Sequence, residues 1–350
     1  MQFIKSDVNI NFIDKRKIAF LLSAVMLLTT IVSLVIHKGP KYGIDFVGGT
    51  LIQIKFESPV SMDDIKTGLN TMGLKKTTVQ LFGDKKDNEY LVRTNRAIVD
   101  SDLFSKKIQN VLKQYTGSGV NIRRVEMVGP QVGKDLREKA LLAMFYALLF
   151  ITIYISGRFE LKWLLSGFIA VILIGALTMI MKICHYLSLE NSIPVLIAAA
   201  LVVTFVLFWL FKLKYAMGAI VALVHDIAIT VGIFSLLGIE FTLPIIAALL
   251  TIIGYSLNDT IIVFDRIREN SKKYQKNLVE TIINTSINET LNRTMITSLT
   301  TFVVVVTLFI MGGGIIHDFA FAMIIGVIIG TYSSIFVASP ILLAWQGSGK

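Results

Sequence analysis

Apolar runs long enough to cross a lipid bilayer recur along this chain, and that recurrence narrows its possible folds more than any other feature. A helix rising about 1.5 Å per residue needs about 17–22 apolar residues to span the hydrocarbon core. Such runs fall at 18–36, 139–156, 163–181, 193–211, 215–237, 243–264, 295–311 and 319–340. The third and fourth read either as two spans or as one re-entrant hairpin. A composition of 54% apolar and 17% charged residues agrees with a membrane protein and not with a soluble domain. The first run follows Lys5, Lys15, Arg16 and Lys17, as a signal peptide would. It is too long for one, and His37-Lys38-Gly39-Pro40 is no small-residue cleavage site, so a retained first helix is expected.

The basic residues set the orientation. The N-terminal segment, Arg158 with Lys162, Lys212 with Lys214, and the stretch from Arg266 to Arg293 are basic. The alternate loops 182–192, 238–242 and 312–318 hold only Lys182. Both chain ends are therefore expected in the cytosol, with the large segment after the first span outside. The formal net charge of +10 is explained in part by these flanks, and no basic motif interleaved with aromatics points to nucleic acid. One cysteine, Cys184, excludes an intrachain disulfide and a cysteine-cluster metal site. His37, His185, His225 and His317 lie far apart without ligand spacing, so neither metal nor cofactor is expected.

The segment 41–128 reads as a small soluble domain. Leu51 to Glu57 alternates with the period of a half-buried strand. Ser61 before Met62-Asp63-Asp64-Ile65 marks a helix start. Thr77 to Phe82 and Glu89 to Thr94 are strand-like around a polar turn. Ser101 opens a second helix with Leu103, Phe104, Ile108, Val111 and Leu112 at helical spacing, and Asn121 to Val128 closes with a strand. The order β-α-β-β-α-β is that of an external ferredoxin-like α+β domain, a statement about fold alone. The segment 271–292 carries Leu278, Ile282, Ile283, Ile287 and Leu291 at near-helical spacing among lysines. It reads as an amphipathic helix lying in the interface, or as a solvated connector. The expected divisions are 1–36, the external domain 37–138, the second span and loop 139–160, a helical hairpin 161–212, and a four-helix core 213–350.

Two intramembrane acids mark the candidate sites. Asp259 stands in Gly254 to Thr260, between apolar 241–253 and 261–264. A charge there costs about 2.5–3.5 kcal/mol at a helix centre and less towards an interface, so such residues usually serve a function. Asp259 lies roughly 8 Å from the cytosolic helix end by helix rise. Arg293 enters the next span from the same side, at similar depth. A carboxylate that alternates between an arginine-paired ionised state and an unpaired protonated state is a proton relay; a structural salt bridge is the alternative. Thr297, Thr300 and Thr301 follow Arg293 at i+4, i+7 and i+8 as a hydroxyl face, and Ser256 and Asn258 flank the acid. Asp226, beside His225 near mid-span, is either a second relay acid or a neutral hydrogen-bonded group. Asp265, Arg266 and Arg268 read as a solvated anchor, and Gly326 with Gly330 as a close-packing face.

At these residues the chain resembles the SecF family, membrane subunits that work with SecD beside the bacterial Sec translocon. The resemblance rests on Tyr42 to Thr50 (YGIDFVGGT), Val128 to Gly133, Arg158-Phe159-Glu160, Val224-His225-Asp226, Gly254 to Asn270 (GYSLNDTIIVFDRIREN), Asn288 to Ser298 (NETLNRTMITS) and Gly330 to Pro340. It implies a non-enzymatic subunit of an RND-related complex in the bacterial inner membrane. It implies that proton flow moves external domains that pull an unfolded, exported polypeptide through the translocon channel. Asp259 and Arg293 match the family's proton-path positions, with further acids on SecD. The family's usual plan has six spans, so 161–212 is expected as an inserted pair of helices. A proton-coupled RND-like transporter of small or lipidic substrates is the other function that the same acids allow.

Overall fold

The computed structural model describes residues 9–74, 77–83, 85–94, 101–160, 163–186 and 192–347. Lys5, Lys162 and the loop residues 187–191 lie outside them, as do the side chains of Cys184 and His185. Helix α1 (Arg16–Ile36) leads through a single turn, α2 (Ile44–Val47), into a four-stranded sheet. The sheet elements run β1 (Gly49–Phe56), α3 (Met62–Thr71), β2 (Thr77–Leu81), β3 (Glu89–Thr94), α4 (Ser101–Thr116) and β4 (Val120–Val128). All neighbours are antiparallel, in the order β2-β3-β1-β4. The Ser61 hydroxyl caps α3 by accepting from the Asp63 amide at 3.2 Å, with Asp63 and Asp64 in the first turn. Alternation along β1 buries Ile52, Ile54 and Phe56 against Ile65 and Leu69 of α3 and Ile108 and Leu112 of α4. Leu103 is exposed and is not part of that core.

The remaining helices are α5 (Pro130–Glu160), α6 (Trp163–Tyr186), α7 (Ser192–Leu210), α8 (Lys214–Leu236), α9 (Leu243–Lys273), α10 (Val279–Met311), α11 (Gly313–Ser333) and α12 (Ser339–Gly347). Because α5 begins at Pro130, the second long helix starts well before the expected boundary at 138. Proline suits a first helical turn, where its missing N–H is not needed. Among the described residues six helices are long and apolar enough to cross a membrane: Arg16–Ile36, Pro130–Phe159, Lys214–Leu236, Leu243–Lys273, Val279–Met311 and Ile316–Trp345. Among the described residues α6 and α7 contribute the shorter apolar stretches Gly167–Ala176 and Leu201–Leu210.

The segment 271–292 is not a separate interfacial helix. Its first residues end α9, and the rest from Val279 runs unbroken into the apolar part of α10. No glycine or proline interrupts 279–311. The stripe Ile282, Ile283, Ile287 and Leu291 is buried, while Leu278 is 76% exposed. The chain before α1 lies along this stretch: Asn284 and Asn288 accept the amides of Phe12 and Ile10 at 2.8 Å each. Periodicity shows that a face is apolar; here that face meets protein instead of lipid.

Helices α9 and α11 approach closely because α11 presents glycine. A Cβ on Gly330 would stand 3.0 Å from the Ser256 Cβ, and one on Gly326 would overlap Ile252. Between α11 and α12 the backbone takes one π-turn, Ser334–Ala338. Pro340 has no N–H to offer the Phe336 carbonyl one turn back, which removes a helical bond there. The Ser339 hydroxyl instead donates to the Ser334 carbonyl at 2.8 Å.

Candidate functional site

Asp259 is 1% exposed between α9, α10 and α11, and it is poorly satisfied. One carboxylate oxygen accepts from the Ser298 hydroxyl at 3.3 Å; the other has no partner. Ser298 lies 2.7 Å from the Thr331 hydroxyl. The Thr294 hydroxyl is buried without a partner, and that of Tyr255 lies near Ser298 and Thr301 without bonding geometry to either. The hydroxyl that α10 turns to the acid is therefore that of Ser298, with Thr294 and Thr301 on the same face of the helix at i−4 and i+3. Only Thr301 belongs to the set expected from sequence. Each residue turns a helix by about 100°, so counting from 294 instead of 293 selects a different face.

Arg293 accordingly lies exposed on the outside of α10 and makes no ion pair with Asp259, which it reaches only by longer-range attraction. Thr297 and Thr300 turn their hydroxyls to their own helix, onto the carbonyls of Arg293 (3.0 Å) and Ile296 (2.9 Å). Asn258 is exposed on α9, with Thr251 and Gly254 on the same face. The expected Asp–Arg pair is thus divided between an inner acid and an outer polar stripe.

Asp226 is fully buried and fully engaged. Its Oδ1 lies 2.9 Å from His225 Nδ1, and Oδ2 accepts from Ser256 at 2.6 Å and Ser333 at 2.7 Å. His225 Nε2 lies 3.0 Å from the Ser23 hydroxyl of α1, which is 3.0 Å from the Tyr332 hydroxyl. Tyr332 donates to the Ala19 carbonyl at 2.7 Å. One network so joins α1, α8, α9 and α11. Ser256, expected beside Asp259, serves Asp226 instead. The sequence reading missed Ser23, Tyr332, Ser333 and Thr331, since one hydroxyl in an apolar run carries little signal. A weak one existed: the buried residues of α1 are Ala19, Ser23, Thr30 and Ser33, at helical spacing.

Two ionic clusters close the ends of this bundle. Arg158 meets Asp265 at 2.5 Å, Arg266 meets Glu289 at 2.5 Å, and Arg268 donates to the Arg158 carbonyl at 2.8 Å, tying α5, α9 and α10. The expected solvated anchor is therefore a set of inter-helix pairs, each worth little at such exposure. At the other end the 237–242 loop holds the sheet. Phe241 bridges Tyr42, and its amide donates to the Lys41 carbonyl at 2.7 Å. Asp45 accepts the Leu243 amide that opens α9 at 2.9 Å. Glu240, 10% exposed, pairs with Lys41 and with Arg93 of β3 at 3.0 Å each. Burial pushes the Tyr42 phenol above its usual range, and Arg137, 5.4 Å from the ring centre, acts the other way. No cluster of three metal-ligating side chains occurs among the described residues.

The family model for the C-terminal part of the protein export membrane proteins SecD/SecF matches residues 107–198 and 185–348, and that for the SecD/SecF GG motif matches 33–60. The protein translocase subunit SecF of Magnetococcus marinus is 42% identical over 347 residues, covering 98% of this chain and 94% of its own. That of Vibrio alginolyticus is 40% identical, covering 98% and 91%. The crystal structure of SecDF, a translocon-associated membrane protein from Thermus thermophilus, superposes with a TM-score of 0.69 at 29% identity. SecDF in its super-membrane-facing form gives 0.61 at 31%. Each structural match covers 99% of this chain and 40% of the longer SecDF chain.

Proposed function

The chain belongs to the SecD/SecF family and is a multi-pass accessory subunit of Sec protein export; on that premise we propose that it uses the proton-motive force with SecD to drive late stages of polypeptide translocation. The observation that carries the mechanism is the carboxylate of Asp259, buried with one oxygen unpartnered. Such a group is costly as a fixed structural element and suits one that changes charge. Asp259 carries the proton. Arg293 belongs to a second state: turning α10 by one residue step brings it round to the acid. Asp226 is the second acid of the path, holding α9 and α11 through Ser256 and Ser333.

The outer stripe of Asn258, Arg293, Thr297 and Thr300 is the face offered to SecD, which supplies further acids. Polar side chains exposed on apolar helices are expensive against lipid and reasonable against a partner. The remaining architecture follows the same premise. The sheet is an external ferredoxin-like domain, and α6 with α7 complete eight spans as an inserted hairpin. The chain lies in the bacterial inner membrane with both termini cytosolic. Its other partners are the translocon channel and the unfolded exported chain, and it works without cofactor or enzymatic step of its own.

The test is export into inverted membrane vesicles under a proton gradient, with Asp259→Asn in the assembled complex. Loss of proton-driven export with SecD still co-purifying is expected. Undiminished export would remove Asp259 from the path.

A further inference from the structure

The polar chain through His225 needs more protons than a neutral imidazole beside a carboxylate can give. Tyr332 commits its single hydroxyl proton to the Ala19 carbonyl. The proton in the 3.0 Å contact between Ser23 and Tyr332 is therefore the serine's. Ser23 then has none left for His225 Nε2, also 3.0 Å away, so Nε2 carries its own. On the opposite side of the ring, 2.9 Å separates Nδ1 from Asp226 Oδ1, and two bare acceptors repel at that distance. A proton lies there too. Oδ2 of Asp226 is already filled by Ser256 and Ser333.

We propose that His225 and Asp226 form a proton-loaded, net-neutral site in which Nε2–H donates to Ser23 and a second proton is shared between Nδ1 and Asp226 Oδ1. Burial favours the same state: the two side chains are 3% and 1% exposed, and an unbalanced charge there would be strongly disfavoured. The groups facing the pair are Ser23 from α1, Ser256 from α9, and Tyr332 and Ser333 from α11; of these only Tyr332 is titratable.

Loading has a mechanical consequence. When one proton leaves to water, Nε2 becomes an acceptor and Ser23 must turn its hydroxyl to the ring. The Ser23–Tyr332 contact is then left without a proton. That contact helps fasten α1 to α11, so the loaded site holds α1 and the unloaded site loosens it. This deepens, and rests on, the proposal that the chain handles protons during export.

The experiment is solid-state NMR of the chain with nitrogen-15 histidine, in complex with SecD in bilayers at neutral pH, with His225→Gln identifying the signal. A protonated Nε2 together with a shared proton at Nδ1 is expected; a bare Nε2 overturns the loaded site. Spin labels at the exposed positions Leu22 of α1 and Ile328 of α11 report the consequence. Their distance distribution should broaden as pH rises, and an unchanged distribution overturns the coupling. Asp259→Asn separates the two claims. If it still exports with the gradient, the relay fails while the His225 signal stands on its own; if it is inactive and Nε2 is bare, only the loaded site fails.

Discussion

Asp226→Ala and Asp259→Asn should part company in stability. Removing the Asp226 carboxylate deletes three short contacts, to His225 at 2.9 Å, Ser256 at 2.6 Å and Ser333 at 2.7 Å. Two of these cross between helices, to α9 and α11, while the third lies within α8. Hydrogen bonds between membrane helices average about 0.6 kcal/mol and reach about 1.7, so the two are worth roughly 1–3.5 kcal/mol. Ser333 already shares its proton with the Gly330 carbonyl at 3.2 Å, which places the loss towards the lower half of that range. Even so, about 1–2 kcal/mol is a sizeable part of a typical stability of about 5–15 kcal/mol. Asp259 has one contact, at 3.3 Å, and one oxygen without a partner. An amide there keeps an acceptor for Ser298 and removes a buried carboxylate that has one oxygen unpartnered, so the change should cost no more than about 0.5 kcal/mol. Thermal unfolding of the purified chain, followed by helix content and by loss of monodispersity, checks both. The expected order is Asp226→Ala below wild type and Asp259→Asn beside it. Equal melting of the two variants would refute the contrast between an engaged acid and an unengaged one.

Three further outcomes follow from the packing. Gly330→Val should destabilise by about 1–3 kcal/mol by overpacking α11 on α9, where a Cβ already stands 3.0 Å from Ser256; thermal unfolding measures it. Glu240→Ala leaves Lys41 and Arg93 without their carboxylate. Lys41 is half-exposed and Arg93 largely covered, so the loss should lie between the exposed-pair and buried-pair values, about 1–3 kcal/mol, with faster proteolysis between sheet and bundle as the readout. Thr300→Trp, on the outer face of α10, should leave the isolated chain's melting unchanged within about 0.5 kcal/mol while reducing co-purification of SecD. Undiminished co-purification would place the partner elsewhere.

Much of the architecture follows from local sequence. Apolar length marks eight runs, six of which are helices long and apolar enough to cross a membrane among the described residues, and strand alternation with the Ser61 cap marks the sheet elements, because these signals depend on neighbours within a few residues. The two buried acids also stand out, since a carboxylate in an apolar run is conspicuous without knowing what surrounds it. Partners are another matter. Arg293 shares depth with Asp259, yet a helix places residues by angle as well as by height, and one position's difference sends the arginine outside and brings Ser298 in. The stripe from Ile282 to Leu291 is visibly apolar, but only packing reveals that protein covers it. Ser23, Tyr332 and Ser333 look like isolated hydroxyls along the chain; three helices must converge on α8 before they become one network around His225 and Asp226. Glu240 likewise gains its meaning only where the sheet folds back to bring Arg93 against it. The sequence by itself determines which segments are helices, which are strands and which residues are too polar for their surroundings. The tertiary structure decides what those residues touch, because contacts depend on rotation and approach between elements far apart in the chain.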